Sequence, residues 1–237
     1  MADSHNHGGI PADPLEFREA VAALRDRVPM TDALFDKLTE AEREFAFTIA
    51  NVAQADIVAD AFTAIERAVK EGTTFETFKA EVGPALERSW GGEDPAHLEN
   101  IFRTNVMTAY NQGRYRVMTA PSVKRARPYV RLDVVLDDRT SDDICRPIGK
   151  AKVVLPLDHP WIRTHWPPLH HRCRTIPTPL SEDEAKAEGI TSNPPDVEAA
   201  PGFGAAPSVE GSDWEPEPSD YPAPIAAELE VKLDETG

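Results

Sequence analysis

The chain has 237 residues, room for one medium domain or two small ones with a real buried core. Hydrophobic residues make up 41%, an ordinary share for a globular domain, but 22 prolines against 13 glycines point to extended segments outside any core, and much of the formal charge of −16 lies in residues 191–237, which hold eleven carboxylates and one lysine. No run of about 18 apolar residues occurs and the start MADSHNHGG has neither a basic nor an apolar region, so neither a membrane span nor a secretory signal is expected; expected synthesis in a reducing cytosol argues against a permanent disulfide between Cys145 and Cys173.

The first dozen residues carry glycine, proline and polar side chains without periodicity and read as a flexible arm, with His5 and His7 in solvent. Asp13-Pro14 has the form of an N-cap followed by proline at the first helical position, and Phe17, Val21, Leu24 and Val28 follow at helical spacing until Pro29. Phe45, Phe47 and Ile49 lie in an alanine-rich segment, and the next helix sets Val58, Phe62, Ile65 and Val69 on one stripe before Gly72 ends it. Thr73 with Glu76 has capping-box spacing and opens a helix carrying Phe75, Phe78, Val82 and Leu86, which Pro84 is expected to kink or shorten. After the Gly91-Gly92 break, Asp94-Pro95 repeats the cap signal. The longest helix is predicted from there to about Ala120, with Leu98, Phe102, Val106, Ala109, Gly113 and Val117 on its buried face and small residues in its middle that imply close packing against another backbone.

At Pro121 the character changes. Residues 129–136 alternate and are β-branched, predicting a strand that ends in an Asp137-Asp138 turn, and residues 152–155 predict a second strand. Proline, histidine and tryptophan dominate residues 156–177, a composition suited to an ordered irregular loop folded onto a small sheet; residues 181–188 predict a short helix, and the proline-rich acidic sequence beyond Thr191 has the composition of disorder. The expected fold is α+β: a flexible arm (1–12), a helical region (13–120), a small β-containing domain (121–178), then a short helix and acidic tail (179–237), with disordered termini.

Arg103, Asn105, Tyr110 and Arg114 read either as the polar flank of the long helix or as part of a motif. In the turn after the first strand, Asp137 is placed to accept backbone N–H bonds, Thr140 belongs to the same turn, and Arg139 is the residue expected to clamp carbonyls or carboxylates and pin the turn against the long helix. Pro167-Pro168 holds the chain extended beneath Trp161 and Trp166. Cys145, His170 and Cys173, with His159, His165 and His171 as candidate fourth ligands, form a set compatible with tetrahedral structural zinc; the alternative is two buried thiols and histidines that only pack. Residues 103–174 hold fourteen Lys/Arg against six Asp/Glu, with Lys124, Arg125 and Arg127 clustered as a basic patch able to meet DNA phosphates or an acidic protein surface. No His-Glu-x-x-His, Pro-Cys-x-x-Cys or Gly-x-Ser-x-Gly occurs, and Gly149-Lys150 lacks the glycine five residues earlier that a phosphate loop needs.

Three blocks together resemble the phage Mu F-like family of minor head proteins: AFTIANVAQADIVADAF with EGTTFETFK; RTNVMTAYNQGRYR, which contains Arg103, Asn105, Tyr110 and Arg114; and DDRTSDDICRPIGK with PPLHHRCRT, which contains Asp137, Arg139, Thr140, Pro167, Pro168 and Arg174. Their order and spacing match, and the resemblance covers about residues 31–178. It implies a non-enzymatic minor capsid protein, made in the host cytoplasm and carried in the virion, in the capsid interior or at the portal vertex, with portal protein and major capsid protein as partners and packaged DNA as a further contact. The competing expectations are a metal-dependent nuclease built on the histidine-rich loop and a basic DNA-binding module.

Overall fold

The computed structural model describes residues 17–208 and three isolated positions beyond them, 219, 223 and 226. The flexible arm, the Asp13-Pro14 cap, His5, His7 and most of the acidic tail lie outside the described residues.

The fold is α+β. Helix α1 (Arg18–Arg25) packs on α4 (Ala55–Glu71) and the long α6 (Pro95–Thr119), and α5 (Phe75–Trp90) packs on the same two, around a core that includes Leu24, Phe47, Phe62, Ile65, Phe78, Leu86 and Leu98. Val28 does not extend α1, as helical spacing suggested. Instead β1 (Val28–Pro29) pairs in parallel with β2 (Ala46–Phe47), the Val28 and Met30 amides donating to Phe45 and Phe47 carbonyls; the short helices α2 (Asp32–Phe35) and α3 (Glu40–Arg43) bridge the two.

Capping residues end and start these helices. Gly72 closes α4 at φ 72 and Gly91 closes α5 at φ 79, left-handed conformations that cost glycine little. Thr74, one residue later than expected, caps α5 by accepting from the Thr77 amide. Pro84 does not shorten that helix, because Gly83 before it offers no Cβ to clash with the ring and the chain continues helically to Trp90. Asp94 and Pro95 open α6 as expected.

Helix α6 is 25 residues, about 37 Å long, and serves two cores. Its buried residues are Leu98, Ile101, Ala109, Asn111, Gly113 and Met118, whereas Phe102, Val106 and Val117 are half-buried. A single stripe was expected; two packing directions replace it. Gly113 sits where a Cβ would come within 2.5 Å of the Ala20 backbone nitrogen, so α1 crosses α6 at direct backbone contact. Met118 faces the second core, with Val130, Leu132, Ile148, Leu155, Ile162, Trp166 and Leu169.

That second core lies on a three-stranded antiparallel sheet of order β4-β3-β5. After α7 (Pro121–Ala126), β3 (Tyr129–Asp133) is the central strand, shorter than predicted: its pairing ends opposite Ile176, and Val134 and Leu136 leave the sheet to lie over Gly149. An unpredicted helix, α8 (Cys145–Ala151), precedes β4 (Val154–Pro156), and another, α9 (Pro160–Thr164), lies within the expected loop. Strand β5 (Ile176–Leu180) was hidden by Pro177 and Pro179. As an edge strand it tolerates both, since alternate residues turn their backbone groups away from β3, and the outward Pro179 carbonyl is met by Arg127. The predicted final helix is α10 (Glu182–Glu188), with Ser181 and Glu184 forming a capping box.

Disorder was expected beyond Thr191, yet residues 192–208 form an ordered strap across the second core. The Trp161 indole donates to the Pro195 carbonyl, the Ala200 amide to Leu169, the Trp166 amide to Gly204 and the Ala206 amide to Arg163, while Val197, Ala199 and Ala206 add apolar contacts. Small residues and prolines, read as a sign of disorder, here let the strand of chain lie flat on aromatic rings. Among the described residues no helix is long and apolar enough to cross a membrane.

Candidate functional site

Three separate stretches meet beside α6: the turn after β3, the start of α8, and the segment from Pro167 to Thr175 that leads into β5. The turn is built first. Asp137 Oδ1 accepts from the Arg139 amide at 2.9 Å, and the Thr140 hydroxyl accepts from the Asp137 amide at 2.8 Å while donating to the Val135 carbonyl at 2.6 Å. Asp137 then receives both arms of the Arg174 guanidinium, one at 2.7 Å. That fork holds the Asp137 carboxyl far below the ordinary carboxylate range. Arg146, from α8, donates to the Asp137 and Thr140 carbonyls.

The clamp is therefore made by Arg174 and Arg146. Arg139 is not the clamp: its side chain is 76% exposed and approaches Asp137 only to 3.8 Å. Fixation to the long helix comes from Arg172, which the sequence reading missed. Its side chain donates to Asn100 and to the Ala96 carbonyl at 2.7 Å, and its amide to Thr104. A second missed residue is Asn111, 1% exposed, whose side chain donates to the Thr175 carbonyl and whose own carbonyl accepts the Trp166 indole N–H at 3.0 Å. An asparagine in the buried part of a helix was the available signal, because an amide is buried at such a place only with partners.

Next to this turn the two cysteines and His170 converge. Cys145 Sγ lies 3.1 Å from His170 Nε2 and 3.7 Å from Cys173 Sγ, and the three ligand atoms all fall within 4.8 Å of one another. Both sulfurs are free and buried. His170 Nδ1 lies 2.7 Å from the His171 carbonyl. The Thr175 hydroxyl, wholly buried, stands 3.4 Å from Cys145 Sγ. Hydrogen bonding from Cys145 draws the Cys173 thiol below the ordinary range against the effect of burial, with help from the Thr175 hydroxyl and the Leu169 and Thr175 amides; the same bond and burial push Cys145 up. A cavity of about 10 Å³ adjoins the cluster, lined in part by Thr140, Cys145, His170, Arg174 and Thr175, and holds about one water.

The other histidines are engaged elsewhere. His159 caps α9 by accepting the Trp161 amide, His165 stacks on Trp161 with ring centroids 3.9 Å apart and bonds the Val197 carbonyl, and the His171 ring meets Phe203 edge to face. None joins the group formed by Cys145, His170 and Cys173. Pro167 and Pro168 are joined by a cis peptide bond and are buried, with Trp166 seated against Tyr115 of α6.

The Phage Mu protein F like family model matches residues 59–177, half of the chain, from α4 into β5, and so spans the whole cluster and turn. The chain belongs to the phage Mu F-like family. A capsid assembly protein F of Escherichia phage Mu is 29% identical over 191 residues, 73% of this chain and 42% of that protein. The FluMu F protein of a Mu-like prophage in Haemophilus influenzae is 30% identical over 166 residues, 65% of this chain and 39% of its own length. The chain thus spans about two fifths of the curated relatives it matches. No solved structure matches it significantly.

Within this Mu F-like fold the remaining motif residues stay on α6. Arg103 pairs with Glu99, Asn105 donates to the Ile101 carbonyl, Tyr110 donates to the Val69 carbonyl at 3.3 Å, and Arg114 donates to Asn111 with its pKa lowered by burial. The basic patch is largely discharged: Lys124 pairs with Asp158 at 2.8 Å and Arg127 with Glu184 at 2.8 Å, while neither pair includes Arg125.

Proposed function

We propose that this Mu F-like chain is a structural component of a tailed-phage head, acting in head morphogenesis at or near the portal vertex and carried in the virion, with portal protein and major capsid protein as its partners. The observation that carries the proposal is family membership together with a relative named for capsid assembly, aligned over most of this chain. The candidate site supports a scaffold over a catalyst. Its cysteines are 3% and 2% exposed and its cavity admits about one water, so the thiols face the fold and not a substrate. The pairing of Lys124 and Arg127 with carboxylates weighs against the DNA-binding alternative, since phosphate contacts would first have to displace those partners.

The test is co-expression of the full chain with the portal and major capsid proteins of its own phage, followed by purification of assembled particles at moderate salt. The chain is expected in the particles, and an amber mutant of its gene should yield aberrant heads. Its absence from particles and normal heads in the mutant would refute the reading. Divalent-metal-dependent plasmid cleavage abolished by His170→Ala would favour a nuclease instead.

A further inference from the structure

We propose that Cys145, His170 and Cys173 bind one zinc ion as a structural site, with a single solvent molecule beside the Thr175 hydroxyl as the fourth ligand. Four observations converge on it. The sulfur–sulfur separation of 3.7 Å matches the edge of a tetrahedron around zinc. With Zn–S bonds of about 2.3 Å that edge is roughly 3.8 Å, whereas a disulfide would need sulfurs near 2.0 Å apart. The imidazole is already oriented. A carbonyl only accepts, so the 2.7 Å contact of Nδ1 with the His171 carbonyl puts the ring proton on Nδ1 and leaves the Nε2 lone pair directed at the sulfurs. This is the arrangement in which a metal-binding histidine donates its other N–H to a backbone group.

The fourth position is defined by the cavity. Its lining includes Cys145, His170 and Thr175, residues that would adjoin a bound water, and its volume of about 10 Å³ admits about one water. Two thiolates and a neutral imidazole balance the 2+ charge, and two sulfurs with one imidazole favour zinc over hard cations. Both thiols give up their protons to solvent on binding. The ion would tie the first turn of α8 to the segment entering β5, 28 residues away in sequence, inside a core built on only three strands. It rests on this geometry alone and is independent of the head-assembly reading.

Elemental analysis of the full-length chain, purified without chelator, is expected to find one zinc per chain. Cobalt(II) titration of the stripped protein should give the thiolate charge-transfer absorption and the visible bands of a tetrahedral complex, saturating at one equivalent and bleached by zinc. Zinc should also protect both cysteines from alkylation in the native state. His170→Gln should weaken cobalt binding by at least about tenfold while leaving the fold intact. The cobalt spectrum is read on the wild-type chain, so the test does not depend on a cysteine variant folding. Absence of both zinc and a cobalt signature would overturn the proposal, as would cobalt binding unchanged in His170→Gln.

Discussion

Asp137 collects an amide and both arms of a guanidinium, and each of these contacts favours its charged form. Its role in the turn was legible, since aspartate after a strand commonly accepts the amide two residues on. The identity of its cation was not. Arg139 is next in the chain, but its side chain leaves the turn toward solvent, and the fork is supplied by Arg174 from 37 residues away. Because the folded state holds the Asp137 carboxyl far below its ordinary value of about 3.9, the stabilisation is complete above that value and fades as pH falls toward the folded one. The melting temperature of Asp137→Asn should therefore lie below wild type at pH 7 and approach it as pH drops below about 4. A constant gap between the two from pH 7 to pH 2 would show that the ion pair is not the source of the difference. Arg139→Ala should melt like wild type throughout.

Helix α6 is the element on which both cores depend, and its two special residues make opposite demands. Gly113 provides an absence: a methyl there would meet Ala20 and Glu19 backbone atoms at 2.5–2.8 Å, and backbone cannot rotate out of the way. Gly113→Ala gains about 1 kcal/mol of helix propensity but must separate α1 from α6, so we expect a net loss of about 1–3 kcal/mol in urea denaturation. Asn111 provides a bond. Asn111→Ala leaves the Thr175 carbonyl, in a residue 0% exposed, without that donor, a cost of about 1–3 kcal/mol that exceeds the roughly 0.5 kcal/mol gained by alanine in a helix. Close packing at the small residues was readable from spacing, as were the caps at Asp94, Gly72 and Gly91. The direction in which Asn111 and Met118 face was not, because a helix packed on two sides has no single apolar stripe.

At the scale of the whole molecule, composition misjudged where order ends. Proline and carboxylate content made residues beyond Thr191 look unable to bury anything, and that holds residue by residue: Val197, Ala199 and Ala206 are small or half-buried. Order comes instead from what they cover. Trp161, Trp166 and Leu169 offer an apolar floor edged by backbone donors and acceptors, and the strap fills both needs, with Gly204 at φ 86 where a Cβ would come within 2.5 Å of the Thr164 carbonyl. Truncation at two points distinguishes this strap from a dispensable tail. A chain ending at Ser208 keeps each of these contacts and should melt within error of the full chain. A chain ending at Thr191 loses them; the lost burial is partly offset by the freed chain entropy, so the net destabilisation should be on the order of 1–3 kcal/mol. Tryptophan emission of that shorter chain should lie to the red of the chain ending at Ser208, which likewise lacks Trp214, as water reaches Trp161 and Trp166. If both truncations melt like the full chain and fluoresce alike, the strap contributes nothing to the second core, and the aromatic floor would have to be stable in contact with water.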